Sequence, residues 1–339
     1  MSESNEFVIG VDVGGTKVAA GVVTSAGEIR NRTRTPMTTS ADAATGFAAV
    51  KSAIDSLFAG GPKTIRAIGV CAPGPLDPIT GVVINPPNVP CWRDFPLADE
   101  LAKLYSLPVK IDNDANAAAR AEALWGAGRG YRNVFYACIG TGIGTGIVFD
   151  GRIYHGRTGA AAEGGHVSID YRGPLCKCGK PGCIEILASG TAIAKRARAK
   201  LSSRKTESAL LKLAHGNIET VTSEMVGQAY ADGDSVAGEV MQETVEVISL
   251  WLSNIVDLLE PDVMILGGGV AEMLSSRCDE IRGRIQRSCI NSRAGEIPLV
   301  QARYGADAGV AGGAALCWRI PAEPPFTSKA GIAQSVRRE

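Results

Sequence analysis

The sequence predicts a two-lobed α/β protein, and three observations lead to this prediction. The chain has 339 residues, about twice the usual length of one domain. Strand-like apolar segments alternate with helix-like segments, which is typical of α/β folds. A strand–glycine turn–strand unit at the start of the chain recurs near residue 140. This recurrence favours two halves built alike, although periodicity alone also allows coincidence.

The first half begins with an apolar, β-branched segment at 7–13 that predicts a buried strand. A glycine turn at 14–17 follows, and the strand pattern resumes at 18–23. Because the glycines join two strands, the unit differs from a Rossmann or Walker A loop, where they open a helix. The elements predicted next are a helix at 41–59, a strand at 65–71, a helix at 97–105, a strand at 109–112 and a helix at 114–125.

The second half repeats the hairpin, with strands predicted at 133–139 and 147–149 around a glycine turn at 140–146. A 3.6-residue apolar stripe over 235–260 predicts a long buried helix, which Pro261 ends. The remaining predicted elements are a strand at 263–266, a glycine turn at 267–269, a helix at 271–286 and a small-residue helix at 308–318. The proline-rich and then polar stretch at 321–339 is expected to be disordered.

Composition excludes several classes of function. Lys+Arg and Asp+Glu both number 35, so the net charge of zero argues against a general electrostatic grip on nucleic acid or an anionic membrane. Aromatic residues make up only 5% of the chain, which disfavours base-stacking surfaces. No apolar run of about 18 residues predicts a membrane span, and the polar start is unlike a secretory signal. We therefore expect a cytoplasmic protein whose nine cysteines are reduced thiols or metal ligands.

Glycine is in excess, with 41 residues, or about 12% against a usual share of about 7%. Three glycine turns each follow an apolar strand and offer unobstructed backbone N–H groups, which bind phosphate well. One such turn indicates merely a tight hairpin, but three, with Asp12 and Thr16 beside the first, favour a triphosphate site. Asp12 could hold Mg²⁺ through water. Lys17 could contact phosphate, or its side chain could simply be solvated.

Two polar segments suggest a hydroxyl-containing substrate. Asp114 lies where a strand meets a helix, so it is either a helix N-cap or a general base that accepts a hydroxyl proton. Both interpretations hold if Asn113 or Asp112 supplies the cap. Asn88, in an extended proline-rich loop, could bind a hydroxyl or form an Asx-turn. His155 and His215 have no sequence neighbours of similar chemistry and are expected to be surface or satisfied residues.

A histidine and three cysteines predict a structural zinc site. Cys176, Cys178 and Cys183 are spaced C-x-C-x4-C, and His166 lies upstream. Four such ligands match tetrahedral Zn²⁺ with no open position, whereas three unrelated core thiols would not need the glycines and proline that bend this segment. Glu163 and Glu185 bracket the cluster, so the metal could fix two carboxylates for polyol recognition.

Together these motifs resemble the ROK family of repressors, open reading frames and sugar kinases. The resemblance runs in order from about residue 7 to 318 and is carried by VDVGGTK at 11–17, APGP at 72–75, NDAN at 113–116, GTGIG at 140–144 and ExxH at 163–166 with the cysteine segment. It implies an actin-like ATPase (ribonuclease H-like) fold with the active site in the cleft between two lobes. It also implies phosphorylation of a hexose 6-hydroxyl by MgATP, commonly in a homodimer or a dimer of dimers.

The resemblance assigns roles position by position. It makes Asp114 the catalytic base, and its sugar-binding set is Gly74, Asn88, Asn113, Asp114, Glu163, His166 and Glu185. Its ATP-binding set is Asp12, Gly14, Gly15, Thr16, Lys17, Thr141, Gly142, Gly144, Gly268 and Gly269. Its zinc ligands are His166, Cys176, Cys178 and Cys183. Two departures from the family pattern, at Gly-Ile-Gly-Thr-Gly after the second hairpin strand and at Gly164-Gly165, remove none of these side chains.

The resemblance also suggests a domain division. We expect an N-terminal lobe at 1–117, completed by a helix at about 305–320, and a C-terminal lobe at 118–304 with the zinc segment and a dimerisation surface. Glucose is the expected substrate. The alternatives are N-acetylmannosamine, N-acetylglucosamine, mannose or fructose, with ATP or polyphosphate as the donor. A sugar-responsive repressor is disfavoured because only six residues precede the first strand, too few for a helix-turn-helix. An actin-like ATPase without sugar chemistry is disfavoured by the zinc cluster and its glutamates.

Overall fold

The computed structural model describes residues 6–39, 42–60, 64–203 and 207–319. The predicted disorder of 321–339 lies outside these residues. Among the helices so described, none combines the length and the apolar character needed to cross a membrane.

The first sheet has five strands in the order β3-β2-β1-β4-β7. β1 is antiparallel to β2 and parallel to β4, and β7 continues the parallel half. The strands are β1 (Phe7–Val13), β2 (Lys17–Thr24), β3 (Ile29–Pro36), β4 (Ile65–Ala72) and β7 (Val109–Asn113). A two-stranded hairpin, β5 (Leu76–Asp77) and β6 (Val82–Val83), follows β4.

The second sheet has the same strand order and the same directions as the first. Its order is β10-β9-β8-β11-β12, with β8 antiparallel to β9 and parallel to β11. The strands are β8 (Val134–Ile139), β9 (Ile143–Phe149), β10 (Arg152–Ile153), β11 (Val263–Gly267) and β12 (Leu299–Gln301). The repeated hairpin in the sequence therefore corresponds to the equivalent pair of strands in each sheet.

The helices complete a layered arrangement. Helices α1 and α2 cover one face of the first sheet, and α5, α7, α8 and α10 cover the far face of the second. Between the sheets, α11 packs on β1 and β4, and α3 packs on both α11 and β9. The helices are α1 (Ala43–Gly60), α2 (Leu97–Tyr105), α3 (Asp114–Trp125), α4 (Ile184–Ala188), α5 (Gly190–Ser203), α6 (Ala209–Leu213), α7 (Ser223–Ala231), α8 (Ser235–Leu259), α9 (Gly269–Met273), α10 (Cys278–Ser288) and α11 (Ala308–Ala315).

Small residues let α11 lie directly on the first sheet. A Cβ on Gly69 of β4 would lie 1.8 Å from the carbonyl oxygen of Gly313 in α11, so the two backbones touch where neither residue has a side chain. The small-residue composition of 308–318 is therefore a packing requirement. The expected domain boundary at 117/118 falls within α3, between the two sheets, and stays a prediction.

Several elements differ from those predicted, and the sequence analysis predicts none of the short strands β5, β6, β10 and β12 or of the helices α4, α5, α6 and α7. Strand β3 was not predicted, because its sequence is largely polar and its side chains are mostly exposed. Strand β9 begins at Ile143, so the glycine turn spans fewer residues than predicted. The helix predicted at 271–286 is two helices, α9 and α10, separated by a 3₁₀ turn at Ser275–Arg277, where serines compete with helical hydrogen bonds. Helix α11 ends at Ala315, earlier than predicted.

Candidate active site

Several of the predicted site residues collect at the carboxyl edge of the first sheet. Asp12 on β1 is in register with Cys71 on β4, and Cys71 is in register with Asp112 on β7. Because these three strands are parallel, the segments that follow them emerge side by side at one edge, where ligands of α/β sheets usually bind. The first glycine turn, Gly74 and the Asn113–Asp114 pair therefore lie together there, and a Cβ on Gly74 would lie 3.6 Å from the Asn113 amide nitrogen.

Asn113 caps helix α3, so Asp114 is not needed as the cap. Its Oδ1 accepts the backbone N–H groups of Ala115 at 2.9 Å and Asn116 at 3.4 Å. Asp114, the first helical residue, accepts the Ala115 N–H at 2.8 Å, and the residue keeps an open face to solvent although protein surrounds its carboxylate. The two interpretations of this segment are thus compatible, since the helix does not need Asp114 as its N-cap.

The carboxylates of Asp114 and Asp12 are both shifted towards the neutral form. Enclosure by the surrounding protein raises the pKa of Asp114, against the opposing effects of the Ala115 N–H and the Asn113 amide. Burial also raises the pKa of Asp12; a hydrogen bond from Cys71 opposes this, and the negative charge of Asp114 adds to it. A raised pKa suits a base that works near neutral pH. The mutual repulsion of the two carboxylates suits a bound cation.

The first glycine turn lies against the Asn88 loop. A Cβ on Gly15 would lie 2.7 Å from the Asn88 carbonyl oxygen, so this approach needs glycine. The turn is closed by the Gly14 N–H, which donates to the Lys17 carbonyl at 2.9 Å, and the side chains of Thr16 and Lys17 are exposed. In the described part of the chain the exposed Asn88 side chain makes no hydrogen bond, so it forms no Asx-turn and its amide is available to a ligand.

Glu185 is attached to the second glycine turn. Its Oε2 accepts the Ile143 N–H at 2.9 Å, and a Cβ on Gly142 would lie 2.7 Å from the same oxygen. The start of α5 holds the other side of the turn, since the Gly190 N–H donates to Gly140 at 2.7 Å and the Thr191 hydroxyl donates to Thr141 at 2.9 Å. Gly142 and Glu185 are therefore neighbours, although they are 43 positions apart in the sequence.

Glu163 is positioned by a 3₁₀ turn that packs against β9. The turn, Gly164–His166, follows the exposed Glu163 directly, and the Gly164 N–H donates to the Thr145 hydroxyl at 2.8 Å. A Cβ on Gly165 would lie 2.1 Å from the Ile143 carbonyl oxygen. The Gly164-Gly165 pair thus lets the turn contact β9, the strand that also holds Glu185.

Gly144 lies in a different position from the one predicted. It was expected within the second glycine turn, but it is a residue of β9. A Cβ there would lie 3.2 Å from Cβ of Ala115, in the first turn of α3. Gly144 therefore brings the strand that carries the Glu185 contact close to the helix that begins with Asp114.

The four predicted zinc ligands converge. The ligand atoms of His166, Cys176, Cys178 and Cys183 all lie within 4.8 Å of one another. The Cys178 and Cys183 sulfurs are 3.5 Å apart, and the Cys176 sulfur is 3.6 Å from Nδ1 of His166. Zn–S bonds of about 2.3 Å place tetrahedral ligands about 3.8 Å apart, so this donor set fits zinc.

Glycines shape the loop that carries the ligands. Gly179 and Gly182 have φ values of +91° and +62°, in the left-handed region that other residues rarely adopt. The Cys176 N–H donates to the Lys180 carbonyl at 2.8 Å, and the Gly179 N–H donates to the Cys176 carbonyl at 2.9 Å. The loop thus folds back on itself through its own backbone, with the three sulfurs brought to one side.

A pocket of about 800 Å³ opens beside the second glycine turn. This volume lies in the usual range for a small-molecule or cofactor site. Thr141 and Gly269 line it as predicted, while Gly268 is placed beside it with φ +87° and its backbone against Ile139. The lining residues that the sequence did not reveal come from α5, α7 and α9, and they include Thr191, Lys195, Arg198, Ser223, Gln228 and Glu272. Their spacing forms no motif, so no local signal could have identified them.

A family model and a curated relative match nearly the whole chain. The model described as the ROK family matches residues 8–320. A glucokinase of Halalkalibacterium halodurans is 34% identical over 314 residues, covering 91% of this chain and 94% of its own. These matches span both sheets and every predicted site residue.

Two solved structures show the same architecture. One is a ROK family glucokinase from Streptomyces griseus in complex with glucose and AMPPNP, with a TM-score of 0.77, 34% identity and coverage of 91% of this chain and 98% of that one. The other is a ROK family transcriptional regulator, a homologue of the E. coli MLC protein, with a TM-score of 0.82 and 26% identity. The match with the regulator covers 93% of this chain but 78% of the other.

Proposed function

The chain belongs to the ROK family, and on that premise we propose that it is an ATP-dependent glucokinase that phosphorylates the 6-hydroxyl of glucose. It has the two-lobed actin-like ATPase fold that the sequence resemblance implies. The observation that carries the proposal is the nearly full-length match with a glucokinase that binds glucose and AMPPNP. The geometry at the carboxyl edges of the two sheets supports it.

Asp114 is the proposed general base. Its raised pKa lets it accept the proton of the attacking hydroxyl near neutral pH. The exposed amide of Asn88 and the Asn113 amide next to Gly74 would bind sugar hydroxyls from one side. Glu185, bound to the Ile143 N–H of β9, and Glu163, next to the turn that contacts β9, would bind hydroxyls from the other side. Positioning of this kind, together with electrostatic stabilisation of the phosphate charge, accounts for nearly all of the acceleration in phosphoryl transfer.

The ATP site is proposed to extend from the two glycine turns into the pocket beside α5, α7 and α9. Backbone N–H groups at 15–16 and 141–142 would hold phosphate oxygens without a basic surface, which agrees with the zero net charge. Mg²⁺ bound with ATP would neutralise developing phosphate charge, and Asp12 is the residue that would hold it. The pocket of about 800 Å³ would take the adenosine, with Gly268 and Gly269 at its edge.

We also propose that the Cys₃His cluster binds structural zinc. Its donor set has the number and chemistry of a closed tetrahedral site. The segment 166–183 begins in the 3₁₀ turn that follows Glu163 and ends immediately before α4, the helix that contains Glu185. Zinc would therefore hold the two ends of the sugar-binding set in fixed positions.

A homodimer and a cytoplasmic location complete the proposal. Leu250 and Leu258 are exposed two helical turns apart on α8, and Ile290 is 93% exposed. The Ile290 N–H donates to Asp257, the residue before Leu258 on α8, so Ile290 lies near the end of the helix that exposes Leu258. Such a patch favours an interface with a second copy. Reduced thiols and the use of ATP fit the cytoplasm.

A substrate screen tests the proposed function. Release of ADP is measured with glucose, mannose, fructose, N-acetylglucosamine and N-acetylmannosamine, and polyphosphate is then substituted for ATP. We expect the highest kcat/KM with glucose and ATP. A higher kcat/KM with another sugar would correct the substrate, and no turnover with any of them would overturn the proposal.

A further inference from the structure

Asp112 is a buried carboxylate directly before the Asn113–Asp114 pair. Its side chain is 4% exposed. One oxygen, Oδ1, accepts the Asn113 N–H at 2.8 Å and the Asn116 side-chain amide at 3.1 Å. Asp112 thus ties together the end of β7 and the first turn of α3, where the proposed base sits.

The other oxygen of Asp112 is bound by His155, which comes from the second sheet. Nε2 of His155 lies 2.6 Å from Oδ2, and His155 is the second residue after the end of β10. Its carbonyl accepts the Ala161 N–H at 3.2 Å, within the loop that leads to Glu163. The His155–Asp112 contact therefore links the turn that carries the base to the loop that carries a proposed sugar ligand. No motif in the sequence pairs these residues, which are 43 positions apart.

The side chain that can supply a positive charge in contact with Asp112 is His155, once its ring is protonated. A buried carboxylate is costly unless a positive charge or several hydrogen bonds compensate it. Arg120 of α3 is near, but its guanidinium donates to the carbonyl groups of Ala315, Gly151 and Trp318. In the described chain the ion pair of Asp112 is therefore with His155.

We propose that His155 is a positioning residue for the phosphoryl-transfer reaction, which holds the Asp112 carboxylate and, through it, the Asn113–Asp114 pair in register with the second sheet. It does not touch the reacting atoms. This inference rests on the proposed kinase function, because the group that it positions is the proposed general base.

The charge of His155 gives the contact a pH dependence. The hydrogen bond to Asp112 raises the pKa of His155, whereas partial burial and the positive charge of Arg120 oppose this. Lys110, Arg152, Asp150 and Arg319 line the same cavity. Because the pKa is raised, the ion pair is fully formed below the ordinary histidine value and is lost as pH rises through the raised value. The neutral ring then holds Asp112 by a weaker hydrogen bond.

His155→Ala and His155→Gln test the proposal, with His215→Asn as a matched control on an exposed histidine. With saturating ATP and glucose we expect His155→Ala to lower kcat between about 10- and 100-fold, since a small misplacement of a catalytic group has effects of this size. The KM for glucose should rise, while the KM for ATP, bound at a different pocket, should not. His155→Gln keeps a donor without a charge, so it should retain more activity and lose the decline of kcat at alkaline pH.

Chemical rescue separates positioning from a general structural role. His155 and Asp112 both line a cavity of about 960 Å³, so added imidazole can enter the space that His155→Ala leaves. We expect imidazole to restore part of kcat in this variant and to have no effect on Asp114→Asn. The inference would be overturned if folded His155→Ala kept the wild-type kcat, KM and pH profile. It would also be overturned if imidazole failed to rescue the variant and a lowered melting temperature alone explained its loss of activity.

A measurement without turnover keeps the two proposals distinguishable. The chain has three histidines, so NMR can follow the titration of His155 and compare it with that of Asp112→Asn, in which its pKa should fall. If His155→Ala does not fold, the inference is tested by this titration and by the kinetics of His155→Gln. An ordinary pKa of His155 in the wild type would overturn it. A wild type that phosphorylates no hexose would refute the proposed function, whereas an active wild type with an indifferent His155→Ala would refute this inference alone.

Discussion

At the scale of single residues, the structure assigns different tasks to adjacent polar side chains. The sequence placed Asp112, Asn113 and Asp114 at a strand–helix junction but could not tell which of them caps the helix. Asn113 is the N-cap, and Asp112 binds the Asn116 amide of α3 through one oxygen and the His155 ring through the other. This division depends on backbone angles and on a partner from another sheet, neither of which is encoded in the local pattern.

Asp114→Asn should remove catalysis without removing the fold. We expect kcat to fall by about 10²- to 10⁴-fold, the usual contribution of a general base, with glucose binding retained. Asn113 still caps α3 in this variant, so circular dichroism should be unchanged. Turnover near the wild-type value would show that another group is the base.

The same substitution should raise stability at neutral pH. Because the folded protein raises the pKa of Asp114, it binds this proton more tightly than the unfolded chain does. Stability therefore falls as pH rises from the ordinary aspartate value of 3.8 through the raised value. The melting temperature of Asp114→Asn should exceed that of the wild type at pH 7, and the difference should shrink in acid. Asn113→Ala is the contrasting control, since loss of the cap should destabilise the protein by about 1 kcal/mol.

At the scale of elements, the glycine excess has two separate causes. Gly140, in the second glycine turn, has open space where a Cβ would point, so packing does not require glycine there. Gly146 belongs to β9, and a Cβ there would lie 2.6 Å from both the Ala115 carbonyl oxygen and Cβ of Ala119. The sequence showed one run of glycines, because strand–helix packing is a long-range contact that leaves no local signature.

Gly146→Ala and Gly140→Ala test this distinction. Gly146→Ala forces a methyl group into the interface between β9 and α3, which should cost about 1–3 kcal/mol in the free energy of unfolding. Gly140→Ala should change it by about 0.5 kcal/mol or less. Urea denaturation with unchanged m-values measures both. Equal effects of the two substitutions would contradict the packing argument.

At the scale of the whole molecule, local motifs predicted the two similar sheets and the cysteine cluster, but not the contacts between distant elements. The hairpin at 7–23 and its repeat near 140 correctly indicated two similar sheets, and the Cys₃His spacing indicated a cluster that the fold does bring together. The layer formed by α3 and α11, the pocket between α5, α7 and α9, and the contact of His155 with Asp112 all join segments far apart in sequence. Such contacts follow from the packing of complete elements, so a single sequence does not reveal them.

Removal of the proposed zinc should weaken sugar binding, because the ligand segment connects the two proposed sugar-binding glutamates. Cys183 lies directly before α4, whose Glu185 binds the second glycine turn, and His166 ends the 3₁₀ turn that follows Glu163. Loss of zinc should release both ends of this segment, so Cys183→Ser should raise the KM for glucose about tenfold or more and abolish the rise in melting temperature on adding glucose. The KM for ATP should change less, because the proposed adenosine pocket is built from α5, α7 and α9.

Cys289→Ser is the matched control, since the Cys289 Sγ donates to the Ser253 carbonyl, a bond that a serine hydroxyl can also make. Metal analysis and glucose titration of both variants check the prediction, and zinc loss without a change in the KM for glucose would contradict it.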